Sequence, residues 1–154
     1  LVIKKEKIIP HKEINKILST IEALLVEKKL VVENHINEDL LLKTDKESFR
    51  SIFSNLLNNA IKYSPVGSKI IFNATKDKKS TVISIKDNGY GIEKNSLKRV
   101  FERFYRSSKA RAHTKGTGLG LALVKQLSSR IGANVKVESQ INVGTEFFVS
   151  FQDK

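Results

Sequence analysis

The sequence predicts an α+β fold, with helices layered on one face of a mixed sheet. Three observations carry this. Apolar residues recur at helical spacing in three stretches. Short apolar runs bounded by turn residues lie between and after them. No internal repeat, long linker or low-complexity segment interrupts the alternation. At 154 residues the chain is long enough for one domain with a sizeable core.

The elements follow in order. Residues 1–9 read as a strand with a basic edge, ended by Pro10. Ile14, Ile17, Leu18, Ile21, Leu24 and Leu25 fall at helical spacing and predict an amphipathic helix over about 12–29. Val31, Val32 and Ile36, then Leu40–Leu42, read as two short strands around the turn Asn37-Glu38-Asp39. Thr44-Asp45-Lys46-Glu47 reads as a capping box, with Thr44 as the cap and Glu47 reaching back. Phe49, Ile52, Phe53, Leu56, Leu57, Ala60 and Ile61 then form one core-facing stripe, and Ser64-Pro65-Val66-Gly67 stops the helix. Residues 69–75 and 80–87 look like paired strands around Lys76–Lys79. From Asp87 to Gly120 the pattern is charged and punctuated by glycine. Leu119–Ile131 is helical again, stopped by Gly132, and 134–139 and 145–151 close the chain as strands.

Composition narrows the function classes. There is no cysteine, hence no disulfide framework, no cysteine zinc cluster and no thiol nucleophile. No apolar run reaches membrane-span length and no signal peptide opens the chain. Methionine is absent even at position 1, so the chain reads as a fragment of a longer protein. Lys and Arg number 28 against 16 Asp and Glu, a formal charge of +12. Residues 1–50 carry 10 basic and 9 acidic side chains, so the excess lies in the later two thirds. A local excess of this kind asks for a polyanion: nucleic acid, an anionic membrane or a polyphosphate.

Four patterns carry chemistry. Asn55, Asn59 and Lys62 share one flank of the capped helix beside its apolar stripe. Two amides and an ammonium there suit a phosphate-bound metal, because an amide oxygen is a hard ligand for Mg²⁺. Asp87-Asn88-Gly89-Tyr90-Gly91-Ile92 follows an apolar strand, so a carboxylate at a strand end could receive an exocyclic amine while backbone approaches a flat ring. Gly116-Thr117-Gly118-Leu119-Gly120-Leu121 precedes a helix, where exposed N–H groups suit phosphate oxygens. It is neither a P-loop nor a dinucleotide fingerprint, since no Gly-Lys-Ser/Thr occurs and no strand precedes it. Between the glycine loops, residues 94–115 hold eight basic side chains against Glu102, with Phe101, Phe104 and Tyr105 among them. Such a segment can close over an anionic ligand. Taken singly, these patterns equally suit a solvated helix face, an Asp-Asn-Gly turn, a capped helix and a charged loop.

In this order and spacing the four patterns resemble the N, G1, F and G2 boxes of the catalytic and ATP-binding domain of bacterial sensor histidine kinases, over about residues 10–152. The resemblance implies a Bergerat-type two-layer α/β sandwich with an ATP lid at about 93–117, and Mg²⁺ and ATP as cofactors. By residue, it implies Asn59 as the Mg²⁺ ligand, with Asn55 supporting it. Lys62 and Tyr63 would contact phosphates and nucleotide, and Asp87 would accept from the adenine amino group beside Gly89 and Gly91. Arg106 would reach the terminal phosphates, and Gly116, Gly118, Leu119 and Gly120 would hinge the lid. Thr145 would lie near adenine, and Ile92, Phe104, Thr117 and Leu121 complete the binding set. Asn59, Lys62 and Arg106 would carry catalysis by positioning and charge.

The phosphoacceptor histidine of such kinases sits in His-Glu-x-x-x-x-Pro, and His11, His35 and His113 do not match it. The acceptor is then expected on a separate dimerisation hairpin of the same kinase, with a response regulator acting downstream. The resemblance further implies a monomeric, cytoplasmic fragment of a parent that can be membrane-anchored, with no nucleic-acid partner and no direct membrane contact. Rival readings are an anti-sigma-factor-type serine kinase, a non-catalytic ATP-binding module and a basic nucleic-acid module.

Overall fold

The computed structural model describes residues 2–106 and 119–152. β1 (Lys5–Ile8) runs antiparallel to β3 (Leu42–Asp45), pairing Ile8 with Leu42, and the two form a small sheet of their own. The main sheet has five strands in the order β2 (Val31–Asn34), β4 (Lys69–Lys76), β5 (Ser80–Asp87), β7 (Gly144–Gln152) and β6 (Ala133–Gln140). The sheet is mixed: β2 is parallel to β4 and every other pairing is antiparallel. A parallel pair needs a crossover, and the link from β2 to β4 contains α3 (Lys46–Lys62). The other helices are α1 (Pro10–Ser19), α2 (Glu22–Glu27), α4 (Lys94–Leu97) and α5 (Gly120–Arg130). No helix among the described residues is long and apolar enough to cross a membrane.

Side-chain alternation shows which face of the sheet is covered. Along β7, Thr145, Phe147, Val149 and Phe151 are buried, while Glu146, Phe148 and Ser150 between them are not. The buried face meets the apolar stripe of α3, whose seven stripe residues are all buried. Phe49 and Phe53 lie 4.7 Å apart by ring centroids. Phe53 reaches Phe72 of β4 at 6.5 Å and Phe49 reaches Phe151 of β7 at 6.0 Å, so one aromatic cluster ties the helix to both strands. Fully buried rings of this kind cost about 3–5 kcal/mol each to truncate. The α+β architecture thus agrees with the sequence expectation.

Three local expectations are corrected. The helix expected over 12–29 is two helices, interrupted at Thr20 and Ile21. The hydroxyls of Ser19 and Thr20 donate to the Lys16 and Ile17 carbonyls at 2.7 Å each, and side-chain bonds of this kind compete with the helical ladder. Pro10 does not merely stop β1; it opens α1, because its fixed φ and missing N–H suit a first turn. Thr44 is not the cap of α3. It pairs with Glu6 inside β3 and is buried, while Asp45 caps the helix, its Oδ1 accepting from Glu47 N at 3.2 Å. A β-branched threonine fits the buried side of a strand, and the shorter carboxylate one residue on serves as the acceptor.

Candidate functional site

The end of α3 sets one wall of a cleft. Asn55 donates its Nδ2 to the Ser51 carbonyl at 2.8 Å, so its Oδ1 is turned outward. That oxygen stands 3.3 Å from where a Cβ on Gly120 would lie, at the first turn of α5. Leu119, which precedes α5, supplies no side-chain cap, and the first turn of the helix brings its partial positive charge close to that amide oxygen. Asn59 and Lys62 follow on the same flank. Lys28 donates to the Ile61 carbonyl, and to the Lys62 carbonyl at 3.4 Å, pinning the helix C-terminus with a cation where the dipole favours one. Burial pushes the Lys28 ammonium below its ordinary value.

The opposite end is built on the sheet. Asp87 closes β5 and pairs across to Thr145 of β7. Its side chain is buried, and its Oδ1 accepts from Gly89 N at 2.9 Å and Thr145 N at 3.3 Å. Burial pushes its pKa from 3.8 up to about 6, and the two amides only partly counter this. Both amides meet the same oxygen, which leaves Oδ2 as the oxygen for a ligand donor.

The two loop glycines are required by neighbouring protein backbone. A Cβ on Gly89 would lie 2.2 Å from the Tyr63 carbonyl oxygen. Gly91 has φ +78, and a Cβ there would lie 2.2 Å from the Gln140 oxygen. The loop is stitched between Tyr63, whose carbonyl accepts from Tyr90 N at 3.1 Å, and the β6–β7 turn, where Asn142 N donates to the Tyr90 carbonyl at 2.8 Å.

Between these ends lies a cleft of about 710 Å³. Of the residues singled out from sequence, Asn55, Asn59, Lys62, Tyr63, Asp87, Gly91, Ile92, Phe104, Arg106, Leu119, Gly120, Leu121 and Thr145 line it. Gly89 does not line it; it sits behind, against Tyr63. Gly116, Thr117 and Gly118, and the lid from 107 onward, lie outside the described residues. Arg103 and Tyr105 fall in the basic segment read from sequence but had no role of their own, and sequence reasoning assigned none to Asn58, Tyr90, Val100, Ala122, Leu123 or Gln126, which also line the cleft. Asp87 is the one acid among the described lining residues, against Lys62, Arg103 and Arg106. A cationic cleft with a single buried carboxylate at one end suits a polyanion that carries an amine at its far end.

The basic segment is anchored by aromatics. Phe101 packs edge-on against Phe147 at 6.1 Å. The Tyr105 hydroxyl donates to Ser96 Oγ at 2.7 Å, and the Arg99 guanidinium sits 4.5 Å over its ring. Phe104 has φ 63 and is exposed at the cleft rim. The donor set also bears on a metal. Among the described residues no cluster of three acidic, histidine or cysteine side chains exists. Asn55 and Asn59 offer neutral hard oxygens, which suit a Mg²⁺ that arrives already held by phosphates and keeps waters.

Comparisons with known proteins agree with this geometry. The chain is 36% identical over 117 residues to the sensor histidine kinase WalK of Bacillus subtilis (strain 168), covering 74% of this chain and 19% of that protein. It is 35% identical over 136 residues to the swarming motility regulation sensor protein RssA of Serratia marcescens, covering 88% of this chain and 29% of that protein. The chain thus spans under a third of the length of either relative. Among solved structures, the mycobacterial sensor histidine kinase MprB superposes with a TM-score of 0.84 at 25% identity, covering 97% of both chains. A family model described as histidine kinase-, DNA gyrase B- and HSP90-like ATPase matches residues 44–154. With its mixed sheet, its helix layer and its cleft, the chain belongs to that family, as a histidine kinase ATPase catalytic domain.

Proposed function

We propose that this chain is a single catalytic domain that binds Mg-ATP in the cleft and passes the γ-phosphate to a histidine on a separate dimerisation hairpin of the parent kinase. The family supplies the general function, ATP binding and phosphotransfer. One observation supports the finer reading most: the described lining of the cleft combines one buried carboxylate, Asp87, with the amides of Asn55 and Asn59, the cations Lys62, Arg103 and Arg106 and the first turn of α5.

In this reading Asp87 accepts a hydrogen bond from the adenine amino group through Oδ2, with Thr145 beside it. Asn59, with Asn55 behind it, offers amide oxygen to the Mg²⁺. That ion would supply charge neutralisation between phosphates. Lys62 and Arg106 place positive charge along the phosphate chain, and the first turn of α5 points its amides the same way. Among the described lining residues the one carboxylate, Asp87, is taken up by the base, so catalysis here is positioning and charge. The lid, residues 93–117, would close over the triphosphate. The response regulator would meet the parent kinase after the hairpin is phosphorylated.

The test is phosphotransfer from labelled ATP to a separately supplied histidine-bearing hairpin from the parent protein. An acid-labile, base-stable product that depends on this chain supports the reading. An acid-stable product on serine, or ATP binding without transfer, contradicts it.

A further inference from the structure

Ser139 lies on β6 outside every motif singled out from sequence, and it does not line the cleft. Its hydroxyl nonetheless joins the three pieces of backbone that make the base end. Ser139 pairs with Thr145 across β6 and β7, and Thr145 pairs with Asp87 across β7 and β5. The three residues therefore form one rung across three adjacent strands.

The hydrogen bonds run along that rung. Ile92 N donates to Ser139 Oγ at 2.7 Å, tying down the end of the glycine loop. Ser139 Oγ and Thr145 Oγ1 share a bond of 2.7 Å. Ser139 Oγ also reaches the Gly144 carbonyl at 3.0 Å. Thr145 N in turn donates to Asp87 Oδ1.

The loop from Asp87 to Ile92 is held to the β6–β7 hairpin by bonds from Asn142 N to the Tyr90 carbonyl, from Thr145 N to Asp87 Oδ1 and from Ile92 N to Ser139 Oγ. Of these, only the Ser139 bond uses a side chain of a residue that does not line the cleft. Ser139 is thus the point where a substitution can loosen the loop without altering a residue that lines the cleft. A hydroxyl has a single proton, so Ser139 cannot donate to Thr145 and Gly144 at once. Whichever it chooses fixes whether Thr145 offers the cleft a lone pair or an O–H.

The geometry assigns Ser139 as a positioning residue for base recognition: it holds the Ile92 amide and the Thr145 hydroxyl, and through Thr145 it fixes the setting of Asp87. This inference rests on the reading that Asp87 takes the adenine amino group. Ser139 itself touches no ligand in this account. Its effect should therefore follow the group that Asp87 reads and should not extend to the triphosphate.

The test compares ATP with purine riboside triphosphate, which lacks the 6-amino group, by calorimetric titration with Mg²⁺ into wild type, Ser139→Ala, Ser139→Thr and Thr145→Val. Wild type should prefer ATP by about tenfold or more, one hydrogen bond to a charged group. Ser139→Ala should bind ATP about tenfold more weakly and bind purine riboside triphosphate nearly as wild type does, so the preference collapses. Ser139→Thr keeps the hydroxyl and should restore it.

A merely structural role would weaken both nucleotides alike and leave the ratio unchanged, and that result overturns the assignment. Unchanged ATP affinity in folded Ser139→Ala overturns it too. If Ser139→Ala fails to fold, Thr145→Val decides: it removes the other end of the shared bond with little change of shape, and an undiminished preference there sinks the proposal. A wild type that binds neither nucleotide refutes the parent reading itself, which separates the two failures.

Discussion

Replacing Asp87 with asparagine should stabilise the fold while removing ATP binding. Burial raises this carboxyl from 3.8 to about 6. Two units at about 1.4 kcal/mol each put the folded-state cost of ionisation at about 3 kcal/mol. Between pH 3.8 and about 6 the folded chain keeps the proton that the unfolded chain has already lost. The group's contribution to stability is therefore greatest below that window, falls as pH rises through it, and is gone above it. Asparagine carries no such cost, and its Oδ1 still accepts from the Gly89 and Thr145 amides. Its Nδ2, however, turns a donor toward a ligand amine that is also a donor.

In urea titrations without nucleotide, Asp87→Asn should equal wild type near pH 4. At pH 8 it should exceed it by up to about 3 kcal/mol, roughly 6–12 °C in Tm for a chain of this size. A difference that stays constant with pH, or a variant less stable than wild type at pH 8, would refute the burial argument.

Other outcomes follow from the same geometry. ATP affinity should fall as pH drops below about 6, roughly tenfold per unit, because the protonated Asp87 loses its free acceptor; calorimetry at pH 5 and pH 8 checks this, and equal affinities count against it. Asn59→Ala should bind ATP with the same affinity with and without Mg²⁺, whereas wild type should gain from the ion; a persisting Mg²⁺ effect points to other ligands. Gly91→Ala combines φ +78 with a clash against the Gln140 oxygen and should cost about 2–4 kcal/mol of stability in chemical denaturation; a loss under 1 kcal/mol means the loop relaxes freely.

How far the sequence was legible depended on the range of the interaction. The stripe from Phe49 to Ile61 was readable because helical period and core-facing burial are the same fact seen twice. The strands at 69–75 and 80–87 were readable because the turn chemistry of Asp77 is local; its Oδ1 accepts from Lys79 N and Ser80 N. The break at Thr20 was not, because a hydroxyl competing with the helix looks like any exposed threonine in the sequence. Thr44 and Asp45 are both good caps, and only the pairing of Thr44 with Glu6, far along the chain, decides between them.

In the site, Asn55, Asn59 and Lys62 shared a face by simple geometry. Asp87 gained its meaning only from the order of all four motifs. Gly89 and Gly91 signal a close backbone approach in the sequence, but the atoms that approach belong to Tyr63 and Gln140, distant along the chain. Ser139 gave no signal at all, since its role depends on strand register across β5, β7 and β6.

The central claim is that this cleft holds Mg-ATP with its adenine on Asp87. Calorimetric titration of ATP with Mg²⁺ into wild type and Asp87→Ala tests it most directly. The account predicts saturable one-to-one binding by wild type and no measurable heat of binding by a folded Asp87→Ala. Equal binding by both, or none by wild type, would contradict it.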